Sequence, residues 1–201
     1  MSYDHKISDL RYRINGLVPK NICKKIIDIF EKHPKTLGQN GYGHEKSLKF
    51  KTLQMEKDNF KCLNLSAVKN PSKEIVFALN EAKKFISIII ANYVQYIRTS
   101  KICPDFNDRL IKSSGNIRIL KYDVGSYIGD HSDITELERA SCTLNLNEEY
   151  EGGEFRFFDG QIKESFKTGD AMIFPAEPIW IHGTEPVTKG TRYCINCFLE
   201  R

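Results

Sequence analysis

The sequence predicts an α+β fold with a mainly β core, a jelly-roll barrel carried on N-terminal helices. Three observations predict it. Apolar residues recur at helical spacing through the first half, from Ile22 to Ile97. From about Asn116 the pattern changes to short, roughly alternating runs. Gly, Asp and Asn turns separate those runs, as in compact antiparallel β folds. At 201 residues the chain fits a single domain over 1–201. Residues 1–115 read as mainly helical support and 116–201 as the jelly-roll core.

Arg11 to Leu17 reads as a short strand, followed by Val18-Pro19. Proline suits the first turn of a helix, and Ile22, Ile26, Ile27 and Phe30 then share one helical face, with Pro34 beyond its end. Gly38 to Ser47 is a polar loop whose glycines match no phosphate-binding pattern. The clearest helix runs from about Ser72 to about Arg98. Ile75, Leu79, Ala82, Ile86, Ile89, Tyr93 and Ile97 make its apolar stripe, with Phe85 at the edge. Lys101 to Ser114 is an irregular connector containing Pro104. Strands are expected at Ile117–Tyr122, Cys142–Leu146, Glu154–Phe158, Ala171–Phe174 and Arg192–Leu199, within about eight short strands in all.

Hydrophobic residues at 40% and charged residues at 28% describe an ordinary soluble globular chain. A net charge of +4 permits an acidic partner without requiring one, so a nucleic-acid role has no support from charge. Met1 to Tyr12 has no apolar leader-like core, and Phe85 to Ile97 is too short to span a membrane. The expectation is a cytoplasmic protein with no membrane contact. The six cysteines are then free thiols. Cys194 and Cys197 have zinc-knuckle spacing, but no second such pair exists. On a strand their side chains point to opposite faces, which fits core packing.

His131 and Asp133, in Gly129-Asp130-His131-Ser132-Asp133, carry the chemistry. Two residues apart on a strand, they face the same side and reach one ion. His182 comes 51 residues after His131 and must arrive from a non-local strand. Two imidazoles and one carboxylate suit Fe(II) and leave three of six octahedral positions open. A structural zinc site would be closed by four ligands, and no HExxH helix is present to support zinc hydrolysis. Arg192 follows His182 by ten residues. Its guanidinium either faces into the barrel, where it needs an anionic partner, or points out to water.

Taken with their neighbours, these residues resemble a known family. The blocks are Leu120-Lys121-Tyr122 with Gly125, His131-Ser132-Asp133, Leu144-Asn145-Leu146-Asn147, Tyr150-Glu151-Gly152-Gly153-Glu154-Phe155, Thr168-Gly169-Asp170-Ala171, His182-Gly183, and Pro186 through Tyr193. In this order the chain resembles an Fe(II)- and 2-oxoglutarate-dependent dioxygenase of the prolyl 4-hydroxylase and lysyl hydroxylase group. The resemblance covers about Asn116 to Arg201, and the first 115 residues match only loosely.

The resemblance implies a double-stranded β-helix as the catalytic core of a single dioxygenase domain. It implies that His131, Asp133 and His182 bind Fe(2+). Arg192 sits where the family pairs a basic residue with the distal carboxylate of 2-oxoglutarate, and Tyr122 matches a tyrosine that helps hold that co-substrate. Otherwise Tyr122 is a strand aromatic. Lys189 falls in the turn before the strand, so Arg192 is the preferred anchor. Trp180 either lines the substrate pocket or belongs to the core, and Asp130 either orients the metal motif or is a solvated turn residue. Reaction with O2 gives succinate, CO2 and a hydroxylated product, with L-ascorbate as the reductant. The expected substrate is an amino-acid residue in a protein or peptide, proline first and lysine close behind. Nucleic-acid demethylases with the same iron site show a second arginine six residues after the first; here that position is Phe198. A jelly-roll binding module without iron would not need the intact ligand set.

Overall fold

The computed structural model describes residues 6–33, 38–39, 60–100, 111, 113–133 and 137–201. Pro34, Pro104, Cys103 and most of the Gly38–Ser47 loop and of the 101–114 connector lie outside them. The described residues form β1 (Tyr12–Ile14), α1 (Lys20–Lys32), β2 (Gly38–Gln39), β3 (Lys61–Asn64) and α2 (Lys73–Ser100). They continue through β4 (Ser113–Tyr122), β5 (Glu138–Asn145), β6 (Tyr150–Gly152), β7 (Phe155–Phe157) and β8 (Ile162–Glu164). The last elements are β9 (Ala171–Pro175), β10 (His182–Thr184), β11 (Val187–Gly190) and β12 (Arg192–Glu200).

Seven antiparallel strands build the larger sheet, in the order β1-β9-β5-β12-β4-β3-β2. Two smaller sheets, β10-β7-β8 and β11-β6, make the opposite wall. This is the expected jelly roll. The alternation of side chains along each central strand separates two interiors. Ile117, Ile119, Cys142, Leu144, Ile173, Ile195, Cys197 and Leu199 pack against the helices in one buried cluster. Arg118, Leu120, Tyr122, Thr143, Arg192, Cys194, Asn196 and Phe198 line the space between the walls.

α1 begins directly after Pro19 and buries Cys23, Ile26, Ile29 and Phe30. α2 buries Ile75, Ala78, Ala82, Phe85, Ile86, Ile89, Tyr93 and Ile97. Phe85 is therefore a full member of the stripe, whereas Leu79 is only partly buried beside it. No described helix is long and apolar enough to cross a membrane. The N-terminal part is less purely helical than its periodicity indicates. β1, β2 and β3 add to the edges of the larger sheet, and strands of two to four residues are too short to show a period.

All five described cysteines are buried free thiols, and burial pushes Cys23 and Cys62 up to about 11. Cys194 faces the pocket and Cys197 the helices, as strand alternation requires.

Candidate metal centre and co-substrate pocket

His131, Asp133 and His182 meet at one end of the pocket, each offering a ligand atom within 4.8 Å of the others. Nε2 of His131 lies 3.1 Å from Oδ1 of Asp133, and Nε2 of His182 lies 3.2 Å from Oδ2. His182 stands on β10. The expectation that His131 and Asp133 share a strand needs correction. Asp133 belongs to no strand, and His131 forms an isolated bridge whose N–H and carbonyl both pair with His182, at 2.9 Å each. That bridge replaces strand geometry as the device that brings the two histidines together.

Each imidazole is oriented from behind. Nδ1 of His131 faces the Gly129 carbonyl at 2.8 Å, and Nδ1 of His182 faces the Trp180 carbonyl at 2.9 Å. With Nδ1 facing these carbonyls, both Nε2 atoms are turned to the common centre. The His182 ring also stacks on Phe155, with centroids 5.4 Å apart and planes 9° apart. Burial would raise the pKa of Asp133, but the facing His182 and His131 hold it well below the usual carboxylate range. Ser141 on β5 donates its hydroxyl to Oδ2 of Asp133. Ser141 is not among the residues the sequence singles out: the expected strand begins at Cys142, whereas β5 runs Glu138–Asn145 and carries Ser141.

Gly183 permits the close approach of the loop before His131. A Cβ there would stand 2.8 Å from Oδ1 of Asp130 and 2.9 Å from the Ile128 carbonyl oxygen. Asp130 itself accepts a 2.9 Å bond from Nε of Arg156, so it braces the loop and is not a free turn residue. Trp180 is 1% exposed among Phe157, Phe158 and Phe174, which makes it a core residue.

Arg192 faces inward and is 1% exposed. Nε donates to Oδ1 of Asn145 at 3.4 Å, and the guanidinium lies 5.2 Å from the Tyr122 ring centroid. Nη2 is buried with no hydrogen-bond partner. Burial opposes the charge, yet Cys194, Tyr150 and Tyr122 beside it raise the pKa above the ordinary arginine value. Asn145 is held by the Asn147 and Lys167 carbonyls, which receive its amide at 2.5 and 3.3 Å. Gly153, at φ +69°, lets the chain pass against the arginine stem, where a Cβ would meet Cδ at 3.2 Å. Lys189 pairs instead with Glu151 at the surface, 2.8 Å away.

These residues fit a divalent ion and an anionic co-substrate. Three nitrogen and oxygen donors converge from one side, and an orphaned guanidinium N–H in the same pocket asks for an oxyanion.

The comparisons agree with that chemistry. A family profile described as the 2OG-Fe(II) oxygenase superfamily matches residues 117–200. A PKHD-type hydroxylase of Aliarcobacter butzleri is 30% identical over 151 residues, covering 68% of this chain and 57% of its own length. The chain spans about half the length of the curated relatives it matches. Among solved structures, a Trichoplax adhaerens prolyl hydroxylase in complex with a hypoxia inducible factor oxygen degradation domain peptide fragment superimposes with TM-score 0.68. It is 11% identical and covers 96% of this chain and 84% of its own. A Pseudomonas putida prolyl-4-hydroxylase gives TM-score 0.65 at 13% identity, with 97% of both chains covered. At those identities the likeness is one of fold.

Proposed function

We propose that this chain, whose residues 117–200 match the 2OG-Fe(II) oxygenase superfamily profile, is an Fe(II)- and 2-oxoglutarate-dependent dioxygenase that hydroxylates an amino-acid residue in a protein or peptide. Within the superfamily its likeness is to the prolyl hydroxylase group, through PKHD-type relatives in sequence and prolyl hydroxylases in fold. Proline is the leading substrate residue and lysine the next. One observation carries the reading: the three-donor cluster and the buried arginine with an unbonded Nη2 line the same pocket.

In this reading His131, Asp133 and His182 hold the iron and Arg192 pairs with the distal carboxylate of 2-oxoglutarate. Tyr122 packs its ring under that guanidinium and closes the pocket floor with Phe60, 5.2 Å away. When bound, iron and 2-oxoglutarate supply O2 activation coupled to decarboxylation of the co-substrate to succinate and CO2. The protein orients both imidazoles through their Nδ1 bonds, keeps Asp133 ionised, and excludes water with Phe155, Leu120 and Ile128. Residues 1–115 act as support for the core, so that 1–201 is one domain. Ascorbate is the proposed reductant. Five buried free thiols suit a reducing compartment, which favours the cytoplasm. Phe198 on the pocket wall, in place of a second arginine on β12, disfavours a nucleic-acid substrate.

The test is succinate release with Fe(II), 2-oxoglutarate and ascorbate against proline-rich peptides, lysine-bearing peptides and methylated nucleic acid, with mass spectrometry of the products. The expected result is peptide-stimulated succinate and a peptide mass gain of one oxygen. Turnover with methylated nucleic acid alone would overturn the substrate assignment.

A further inference from the structure

β7 stands behind both histidines of the cluster. Its burial alternates, with Phe155 and Phe157 inside and Arg156 between them on the outer face. From the inner face Phe155 stacks on the His182 ring, with planes 9° apart. On the outer face Arg156 pairs with Gly183 of β10. Gly183 carries no side chain, so the arginine crosses it and reaches the loop beyond. There Nε donates to Oδ1 of Asp130 at 2.9 Å. That same carboxylate oxygen would stand 2.8 Å from a Cβ on Gly183, so the glycine leaves the room the pair occupies.

Asp130 bounds the peptide that orients His131. The Gly129 carbonyl faces Nδ1 of His131 at 2.8 Å, and its carbon is bonded to the Asp130 nitrogen. Holding the Asp130 side chain therefore restrains that peptide plane. Bonds to β10 tie the loop on either side of it. The Thr184 N–H donates to the Ile128 carbonyl at 3.0 Å, and the His131 N–H donates to the His182 carbonyl at 2.9 Å.

We infer that Arg156 is a positioning residue for the metal centre: through Asp130 it sets the peptide that aims His131, while Phe155, its neighbour on β7, sets His182 from the opposite face. This rests on the reading of His131, Asp133 and His182 as metal ligands. The Arg156 and Asp130 side chains are 23% and 32% exposed, and an ion pair so placed contributes little to global stability. A partner that orients a metal ligand changes metal affinity by about 10–100-fold. Loss of the pair should therefore show in metal binding rather than in unfolding. Glu185 supplies the control. It accepts from Nη1 of the same arginine at 3.5 Å and pairs with Lys163 at 2.8 Å, away from the loop.

The experiment is calorimetric titration with Mn(II), together with visible absorbance of Co(II) in the same site. It compares the wild type with R156Q, D130A, E185Q and the double variant D130A/R156Q. R156Q and D130A should each weaken Mn(II) binding about tenfold, with urea midpoints close to wild type. The double variant should bind no more weakly than D130A, because a residue acting through Asp130 then has nothing to act on. E185Q should stay within about threefold of wild type. The Co(II) bands should change alike in R156Q and D130A, which a loss of stability alone would not produce.

A further loss of about tenfold from D130A to the double variant overturns the inference, as does a loss in E185Q equal to that in R156Q. Unchanged Mn(II) affinity in D130A overturns it too, and that result stands even if R156Q does not fold. A wild type that binds no Mn(II) would overturn the metal centre itself, and the inference with it.

Discussion

Ser141 and Asp133 are joined by a hydroxyl bond to Oδ2, the same carboxylate oxygen that faces Nε2 of His182. The bond holds the carboxylate plane where its other oxygen meets His131, 3.1 Å away. Ser141→Ala removes that restraint without touching either histidine. Partners of this kind tune metal affinity by about 10–100-fold. We expect S141A to fold normally and to bind Mn(II) or Fe(II) at least tenfold more weakly. Calorimetric titration checks this, and unchanged affinity would show that the histidines alone position Asp133.

Arg192 is tested through the co-substrate. Its Nη2 has no protein partner, and a charge-assisted bond contributes about 1.5–3 kcal/mol. Arg192→Ala should raise the 2-oxoglutarate KM tenfold or more, with a smaller effect on kcat at saturation. Steady-state succinate assays over a range of 2-oxoglutarate separate the two parameters.

Much of this site was legible in the sequence, for a definable reason. Arg192, Cys194, Asn196 and Phe198 share a face because a strand alternates, and all four line the pocket. The helix stripe from Ile75 to Ile97 follows equally from period. His131 and Asp133 do share a site, but through a loop pinned by one bridge to His182, which no local pattern encodes. Ser141, Asn145 and Arg118 were illegible because their partners, Asp133, Arg192 and Phe198, lie on other segments. Strands as short as β8 and β10 offer too few residues for a period to appear.

Gly183 makes a prediction about shape. A methyl group there would come within 2.9 Å of the Ile128 backbone oxygen, closer than packed atoms tolerate. Gly183→Ala should push the 128–130 segment away and carry His131 with it. The expected result is a folded protein with metal affinity reduced at least tenfold, again read by calorimetry.

Asp170 gives a pH dependence away from the metal. Burial would raise its pKa, but the backbone N–H groups of Lys167 and Gly16, at 2.8 and 2.9 Å, and the Arg13 guanidinium at 2.5 Å hold it below the ordinary carboxylate value. A lowered folded-state pKa stabilises the fold fully above the unfolded value of about 4, and that contribution is lost as pH falls through the folded pKa. Asp170→Asn should cost about 2 kcal/mol at pH 7. The gap between variant and wild type should narrow below about pH 4. Urea denaturation at several pH values measures it, and a gap that widened in acid would contradict the assignment.

In the proposed enzyme His131, Asp133, His182 and Arg192 together hold Fe(II) and 2-oxoglutarate. The most direct test of this is anaerobic titration of the metal-free protein with Fe(II) and 2-oxoglutarate, followed by visible absorbance. A charge-transfer band is expected that saturates at one equivalent of iron, is lost in His131→Ala, and needs more 2-oxoglutarate in Arg192→Ala. No band in the wild type, or an undiminished band in His131→Ala, would contradict it.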